Sequence, residues 1–403
     1  MGLTVFCAAC SEDSTSEEPP NDALVLPPIS QSDSEPCPST GDPVDPPTSL
    51  KIATYNLQNL FDGFDDPAVQ EGEFEPANGW NEAKAQVKLE HMARVIKDLN
   101  ADIIGINEPE NMTVFTALRD QIKDSGGPDY PYIALAKGKD GLARGIDVAL
   151  MSRYPLLCSS VSNCPESCSR PINKTFTCQG EDGPLEVTAQ LYTEAKPILE
   201  TEVDFNHDGI GDMLFLVNHW KAKNEDSWPC VDSNENHRRA GMQLSELVDS
   251  FIQKDVTRPV FIMGDFNSYD FDPALTVDLQ ASLTLSDLTK ANQIYNTWGE
   301  RSDVSAAHTT NSNSWNNIEN SSYYYDVTKE WSRLDHILVT ANIRPNGGES
   351  PWRIKSGSTA TYHPEYLLTS KKIPFEFKPS QSINDMGYSD HLAVYIEMER
   401  ISN

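Results

Sequence analysis

The chain has 403 residues, with 61 acidic and 31 basic side chains, a formal charge of -30 at neutral pH and 38% apolar residues. That length allows one large domain or two ordinary ones, and the composition is that of a globular chain with a sizeable core. No apolar run is long enough to cross a bilayer as a helix. The charge repels polyanions at long range. It therefore argues against non-specific binding to nucleic acid through a basic surface, and any phosphate-bearing ligand must be met by a local basic cluster or by bound cations.

The opening segment 1–10, MGLTVFCAAC, reads as a signal or lipoprotein-signal remnant in which Cys10 is the lipidated residue. The expected consequences are export, to an extracellular, periplasmic or outer-surface location, and a membrane tether through the Cys10 lipid. Residues 11–49 are rich in Pro, Ser, Asp and Glu and have too few bulky apolar side chains to offset ordering entropy, so they read as an acidic tether. The catalytic domain is expected over residues 50–403. Eight cysteines are present, at positions 7, 10, 37, 158, 164, 168, 178 and 230. Their spacing fits no common zinc pattern, and disulfides in an oxidising compartment are expected, with the pairing open.

The first predicted element is a half-buried strand over Lys51–Leu60, KIATYNLQNL. A helix follows over Glu82–Leu99, with Met92, Val95, Ile96 and Leu99 on one stripe. Ala101–Glu108, ADIIGINE, is a buried strand ending in an acid, and Val114, Phe115, Leu118 and Ile122 mark a second helix. Gly145–Ser152 and Met213–His219 are further strands, and Ala240–Ile252 is a third amphipathic helix. Pro259–Met263 runs straight into GDFN, and Leu334–Thr340 and Leu392–Met398 complete the series. Strands outnumber helices, and helices intervene between some of them. This pattern predicts a layered α/β domain with sheets inside and helices outside.

Apolar runs here end in, or lead from, polar side chains suited to chemistry: Asn56, Glu108, Asn218-His219, Asp265-Asn267, Asp335-His336 and Asp390-His391. Strand ends hold such side chains rigidly. Carboxylates such as Glu108 and Asp390 suit hard divalent cations. A histidine held by a carboxylate can move a proton. Asparagine amides can donate to phosphoryl oxygens without adding charge.

Six segments, YN at Tyr55-Asn56, NEPEN at Asn107–Asn111, NHWKAKN at Asn218–Asn224, GDFN at Gly264–Asn267, LDHI at Leu334–Ile337 and SDH at Ser389–His391, follow in order. In that order the chain resembles the endonuclease/exonuclease/phosphatase superfamily, which includes deoxyribonuclease I and exonuclease III, and within it the bacterial extracellular nucleases. The resemblance spans about Lys51 to Glu399. It implies a four-layer α/β sandwich with two central mixed β-sheets. It also implies a metal-dependent phosphodiesterase, an extracellular endonuclease hydrolysing DNA or RNA with an activated water, acting as a monomer on nucleic acid.

Carried over residue by residue, the resemblance makes Asn56, Glu108 and Asp390 the metal residues, with Mg2+ or Mn2+ as the ion. His219 lies beside the scissile phosphate, and Asp265 and Asn267 orient water and stabilise the transition state. His391 is the acid/base and Asp335 its carboxylate partner. Asn107 stands where glutamine commonly precedes the metal glutamate, and no carboxylate partner for His219 is legible. Arg144 and Lys221 are weaker candidates for substrate phosphate, with Lys223 beside the latter. Two other readings remain open: a phospholipid or inositol-phosphate phosphohydrolase of the same superfamily, and a surface binding protein whose catalysis has decayed.

Two further segments stand apart. DFNHDGIGD places Asp204, Asn206, Asp208 and Asp212 at the spacing of a structural Ca2+ loop, and equally at that of an acidic hairpin turn. The stretch 311–325, with Trp315 and Tyr323–Tyr325, could stack on bases or pack on the sheet.

Overall fold

The computed structural model describes residues 42–64, 72–138, 145–157, 168–170, 175–180, 183–188, 197–223, 233–301 and 318–401. The signal segment, Cys10, most of the tether, Arg144, Trp315 and the side chains of seven of the eight cysteines lie outside the described residues, and so do the expectations placed on them.

Two mixed sheets lie face to face. The first contains β1 (Ser49–Leu60), β2 (Ile103–Pro109), β3 (Tyr132–Ala136), β4 (Val148–Ser152) and, from the far end of the chain, the strand Ala393–Arg400. Its order is Trp352–Ile354, Ala393–Arg400, β1, β2, β4, β3. The second contains β5 (Ile198–Val203), β6 (Met213–His219), β7 (Val260–Asp265), β8 (Ile294–Asn296) and β9 (Asp335–Thr340), in the order Ala281–Ser282, β8, β9, β7, β6, β5, Leu156–Leu157. The strand Ala393–Arg400 is β10 below. Between the sheets lies a core that includes Ile52, Ile103, Leu150, Phe215, Val217, Phe261, Met263, Ile337, Val339, Val394 and Ile396. Each Val, Leu or Ile buried there contributes about 1.5–3 kcal/mol.

Helices cover both outer faces. α1 (Glu82–Leu99) begins where the Asn81 side chain accepts from Lys84 N at 3.1 Å, and ends at Asn100 in the left-handed region. α2 (Met112–Asp124) is capped in the same way by Asn111, which accepts from Val114 N at 2.9 Å. Met92, Val95, Ile96, Leu99, Val114, Phe115, Leu118 and Ile122 pack on the outer face of the first sheet. α3 (Ser233–Ile252) lays Leu244, Val248, Phe251 and Ile252 on the second. The result is the four-layer α/β sandwich with two central mixed sheets. α3 starts earlier than its apolar stripe predicts, because its opening turns are polar; they carry His237, Arg238 and Arg239.

Register brings the chemical residues to one end of both sheets. β6 and β7 are parallel and set His219 opposite Asp265; β7 and β9 are antiparallel and set Asp265 opposite Asp335. β1 and β2 are parallel and set Asn56 opposite Asn107, after which the pairing is interrupted up to Leu60. Gln58 and Asn59 turn through positive φ of 55° and 60° in that interruption. Gly264 makes the close approach of β7 to β6 possible. Its φ is 132°, and an added Cβ would sit 1.9 Å from the Asn218 carbonyl oxygen. Gly264→Ala is therefore expected to cost about 3 kcal/mol or more in chemical denaturation, since backbone strain and overpacking act together. A loss below about 1 kcal/mol would contradict this account of the glycine.

Candidate active site

Glu108 ends β2 in a left-handed conformation, φ 71°. Its amide donates to Asp147 O at 3.0 Å, and one carboxylate oxygen accepts from Asn59 N at 2.9 Å. Asn56 at the end of the regular part of β1 donates its side-chain amide to Glu108 Oε1 at 3.1 Å and to Asp265 Oδ2 at 3.0 Å. His219 Nε2 lies 3.4 Å from Glu108 Oε1 and 3.7 Å from Asp265 Oδ2. Glu108, His219 and Asp265 thus form a buried group whose ligand atoms lie within 4.8 Å of one another. Two carboxylates and one imidazole at that spacing could hold a divalent cation.

Neighbouring amides fix the group. Asn107 is fully buried and ties the two sheets together, donating to Asn218 O at 2.8 Å and accepting from Asp265 N at 2.9 Å. Asn267, at φ 47°, donates its backbone N–H to Asp265 Oδ1 at 2.8 Å and its side-chain amide to Asp265 Oδ2 at 3.2 Å and to Trp220 O at 2.9 Å. From α3, His237 bridges the two site loops, with Nε2 2.6 Å from Lys221 O and Nδ1 2.7 Å from Ser268 Oγ.

On the other side of Asp265, His391 Nδ1 lies 2.7 Å from Asp335 Oδ2 while Nε2 faces Asp265 Oδ2 at 3.8 Å and Asp390 Oδ1 at 3.9 Å. Ser389 Oγ holds this turn by donating to Asn56 O at 2.8 Å and accepting from His391 N at 3.1 Å. Burial alone would lower the pKa of His391, but Asp335, Asp390 and Asp265 together carry it well above the ordinary histidine value. Burial raises Asp265, against the pull of His391. Burial likewise pushes Asp390 up to about 6, with His391 opposing. A buried imidazolium next to carboxylates of raised pKa is an arrangement able to hold and move a proton near neutral pH.

The structure brings Asn56, Glu108, His219, Asp265, Asn267, Asp335, Asp390 and His391 to one place, and changes some of the expected relations. Asn56 turns its amide nitrogen to the carboxylates while its Oδ1 accepts from Gln58 N at 2.9 Å. Its amide thereby orients Glu108 and Asp265. Among the described residues, Glu108 and Asp265 face His219 through its Nε2, at 3.4 and 3.7 Å. Asp390 is outside the three-residue ligand group; its Oδ1 is buried without a hydrogen-bond partner. Lys221 is half-buried next to the His219 loop, whereas Lys223 is paired with Asp272 and lies 4.8 Å from the Tyr269 ring centroid, so it is not a free phosphate-steering cation.

In the acidic loop, Asp204 accepts from Asp208 N and Gly209 N, Asp208 from Ile210 N, and Asp212 from Phe205 N. The carboxylates expected to hold calcium are thus engaged by the turn itself. Tyr323 opens a short hairpin, Tyr323–Tyr325 with Glu330–Ser332, and its ring centroid lies 4.7 Å from that of His391. Tyr325 continues the stack outward at 6.4 Å and is 45% exposed. The sequence offered base stacking or packing on the sheet for these tyrosines, and did not place Tyr323 beside His391.

A family model described as the endonuclease/exonuclease/phosphatase family matches residues 51–400. The chain belongs to this family. Its members are metal-dependent hydrolases of phosphoester bonds, and the Glu108, His219 and Asp265 group could bind the metal. No curated protein sequence matches the chain. Among solved structures it is similar to an endonuclease/exonuclease/phosphatase family protein from Bacteroides thetaiotaomicron, at 15% identity and a TM-score of 0.46 over 87% of this chain and 95% of that one. It is also similar to a mannosyl-6-phosphatase from Bacteroides thetaiotaomicron, at 14% identity and a TM-score of 0.45 over 87% and 99%. A third similar structure is TDP2 from D. rerio complexed with a single-strand DNA product, at 12% identity and a TM-score of 0.43 over 87% and 99%.

Proposed function

We propose that the chain is an endonuclease of this family that hydrolyses the phosphodiester bonds of DNA, and of RNA where it is offered. The observation that carries the reading is the pair of tyrosines beside the proton-moving pair: Tyr323 lies tilted against His391, and Tyr325 stacks on Tyr323 and reaches solvent. Bases stack on such faces without regard to sequence. A base next to the scissile phosphate would therefore find a surface that a sugar phosphate or an inositol phosphate does not need.

A bound divalent cation supplies charge neutralisation at the phosphoryl oxygens. Glu108, His219 and Asp265 would hold it. Asp265, fixed by Asn267, accepts the proton of the attacking water, and the Asn267 amide holds the water in line. His391, protonated and oriented by Asp335, donates through Nε2 to the oxygen that gains charge. His219 and His391 both face Asp265 Oδ2 through Nε2, at 3.7 and 3.8 Å. Two titratable centres with opposite roles, His391 and Asp265, thus share one buried site.

The test is a panel of plasmid DNA, RNA, sphingomyelin, inositol phosphates and mannose 6-phosphate, each with Mg2+, Mn2+, Ca2+ or chelator. Nicking of plasmid with Mg2+ or Mn2+ and none with chelator is expected. Turnover of a lipid or a sugar phosphate with the plasmid left intact would overturn the nuclease reading. Turnover of nothing would favour a surface protein whose catalysis has decayed.

A further inference from the structure

Lys88 lies in the middle of α1 and is completely buried, although its side chain is one that burial penalises heavily. Its ammonium donates to a carbonyl, Tyr388 O at 2.5 Å, and lies 4.4 Å from the Phe377 ring centroid. The acids whose charge reaches it are, in order, Asp390, Glu108 and Glu376, two of which belong to the catalytic centre. Burial outweighs their pull and lowers its pKa to about 7.

The contact belongs to a larger grip. Along the same face of α1, Lys84 donates to Pro379 O at 2.5 Å, His91 Nδ1 lies 2.6 Å from Gly387 O, and Arg94 donates to the Tyr388 hydroxyl at 3.1 Å. These residues hold the segment that leads directly into Ser389-Asp390-His391. Of the group, Lys88 alone combines complete burial with a charge that acts on Glu108 and Asp390. His91 can hold the same segment as a neutral ring; its lowered pKa arises first from burial.

A methionine or leucine would fill that space at lower cost in stability. The retention of an ammonium there points to the catalytic centre, where Glu108, Asp265, Asp335 and Asp390 crowd carboxylates into one volume. We propose that Lys88 is a positioning residue of this centre: an internal counter-charge, seated on the Tyr388 carbonyl, that offsets Asp390 and Glu108 and so sets how tightly the centre takes up a divalent cation. The inference rests on the reading that Glu108, His219 and Asp265 hold that cation, with Asp390 as a further carboxylate of the same centre.

The test uses the metal-stripped full chain with Mn2+ as the probe, titrated calorimetrically at a pH one unit or more below the value of about 7 to which burial brings Lys88, so that nearly all of it carries its charge. Lys88→Met keeps length and volume and removes the charge. It should bind Mn2+ about tenfold more tightly, the size expected for a unit charge several ångströms away at intermediate dielectric. His91→Ala loosens the same segment without removing a cation that faces Glu108 or Asp390, and should leave Mn2+ affinity unchanged. Unchanged or weaker binding in a folded Lys88→Met protein would overturn the proposal.

A thermal double-mutant cycle with Asp390→Asn covers the case in which Lys88→Met does not fold. If the counter-charge is real, Asp390→Asn is more favourable to stability in the Lys88→Met background than in the wild type, and restores folding where Lys88→Met has lost it. Additive losses, or a double variant that also fails to fold, would refute it. No substrate enters either measurement, so failure here leaves the nuclease reading standing, and failure of the substrate panel leaves this one.

Discussion

Replacing His391 with alanine is expected to lower the single-turnover rate of phosphodiester hydrolysis by roughly a hundredfold to ten-thousandfold at saturating Mg2+. The fold and the metal group should remain intact. The ring contacts Asp335 through Nδ1 and faces Asp265 and Asp390 through Nε2, while Glu108, His219 and Asp265 do not depend on it for their mutual spacing. The pH profile gives a second handle. Burial would lower His391, but Asp335, Asp390 and Asp265 raise it well above 6.5. The protonated ring therefore persists past the ordinary histidine range, and the alkaline limb of the rate should lie above that range. Asp335→Asn removes the strongest raising influence and the hydrogen-bond acceptor together, so the alkaline limb should move to lower pH while the rate falls. A rate in His391→Ala equal to wild type, or an alkaline limb that ignores Asp335→Asn, would remove the acid role from this histidine.

The main strands and the order of polar strand ends were legible in the sequence for a physical reason. A strand buried on both faces must be an apolar run, and MLFLVNH and FIMGDFN switch abruptly from apolar to polar where they leave the core. The helix over Glu82–Leu99 was legible at both ends, because Asn81 caps it and its apolar stripe stops at Leu99. The short edge strands, such as Trp352–Ile354 and Ala360–Tyr362, carry too few residues to show alternation and are defined only by pairing with β10. Within the site, residue identities could be read but directions could not. Nothing in the string YN says that Asn56 offers nitrogen rather than oxygen to the carboxylates. Lys88 and Tyr388 are 300 positions apart, and a lysine inside an amphipathic helix reads as solvated until the segment that covers it is known. Tyr323 is similar, since its place beside His391 depends on a bridge between two distant loops.

Glu108→Gln is the second substitution with a large expected effect, and it acts on metal uptake before any chemistry. The side chain keeps its volume and one acceptor oxygen but loses the charge that a divalent cation needs. Mn2+ affinity of the metal-stripped protein should fall by about a hundredfold or more, beyond the range of about tenfold to hundredfold that loss of an orienting partner costs. Asn56→Ala supplies that comparison, because it removes the amide that orients both Glu108 and Asp265 while leaving both carboxylates. The two variants should therefore rank in a fixed order. Stability should separate from binding. Glu108 is among the charges that raise Asp265, so neutralising it relieves repulsion in the empty site. The melting temperature of the metal-stripped variant should then equal or exceed that of the metal-stripped wild type. Added Mn2+ should raise the melting temperature of the wild type by mass action and leave that of Glu108→Gln unmoved. Should Mn2+ stabilise Glu108→Gln as strongly as the wild type, the cation is held elsewhere, and the group built from Glu108, His219 and Asp265 is not the metal site.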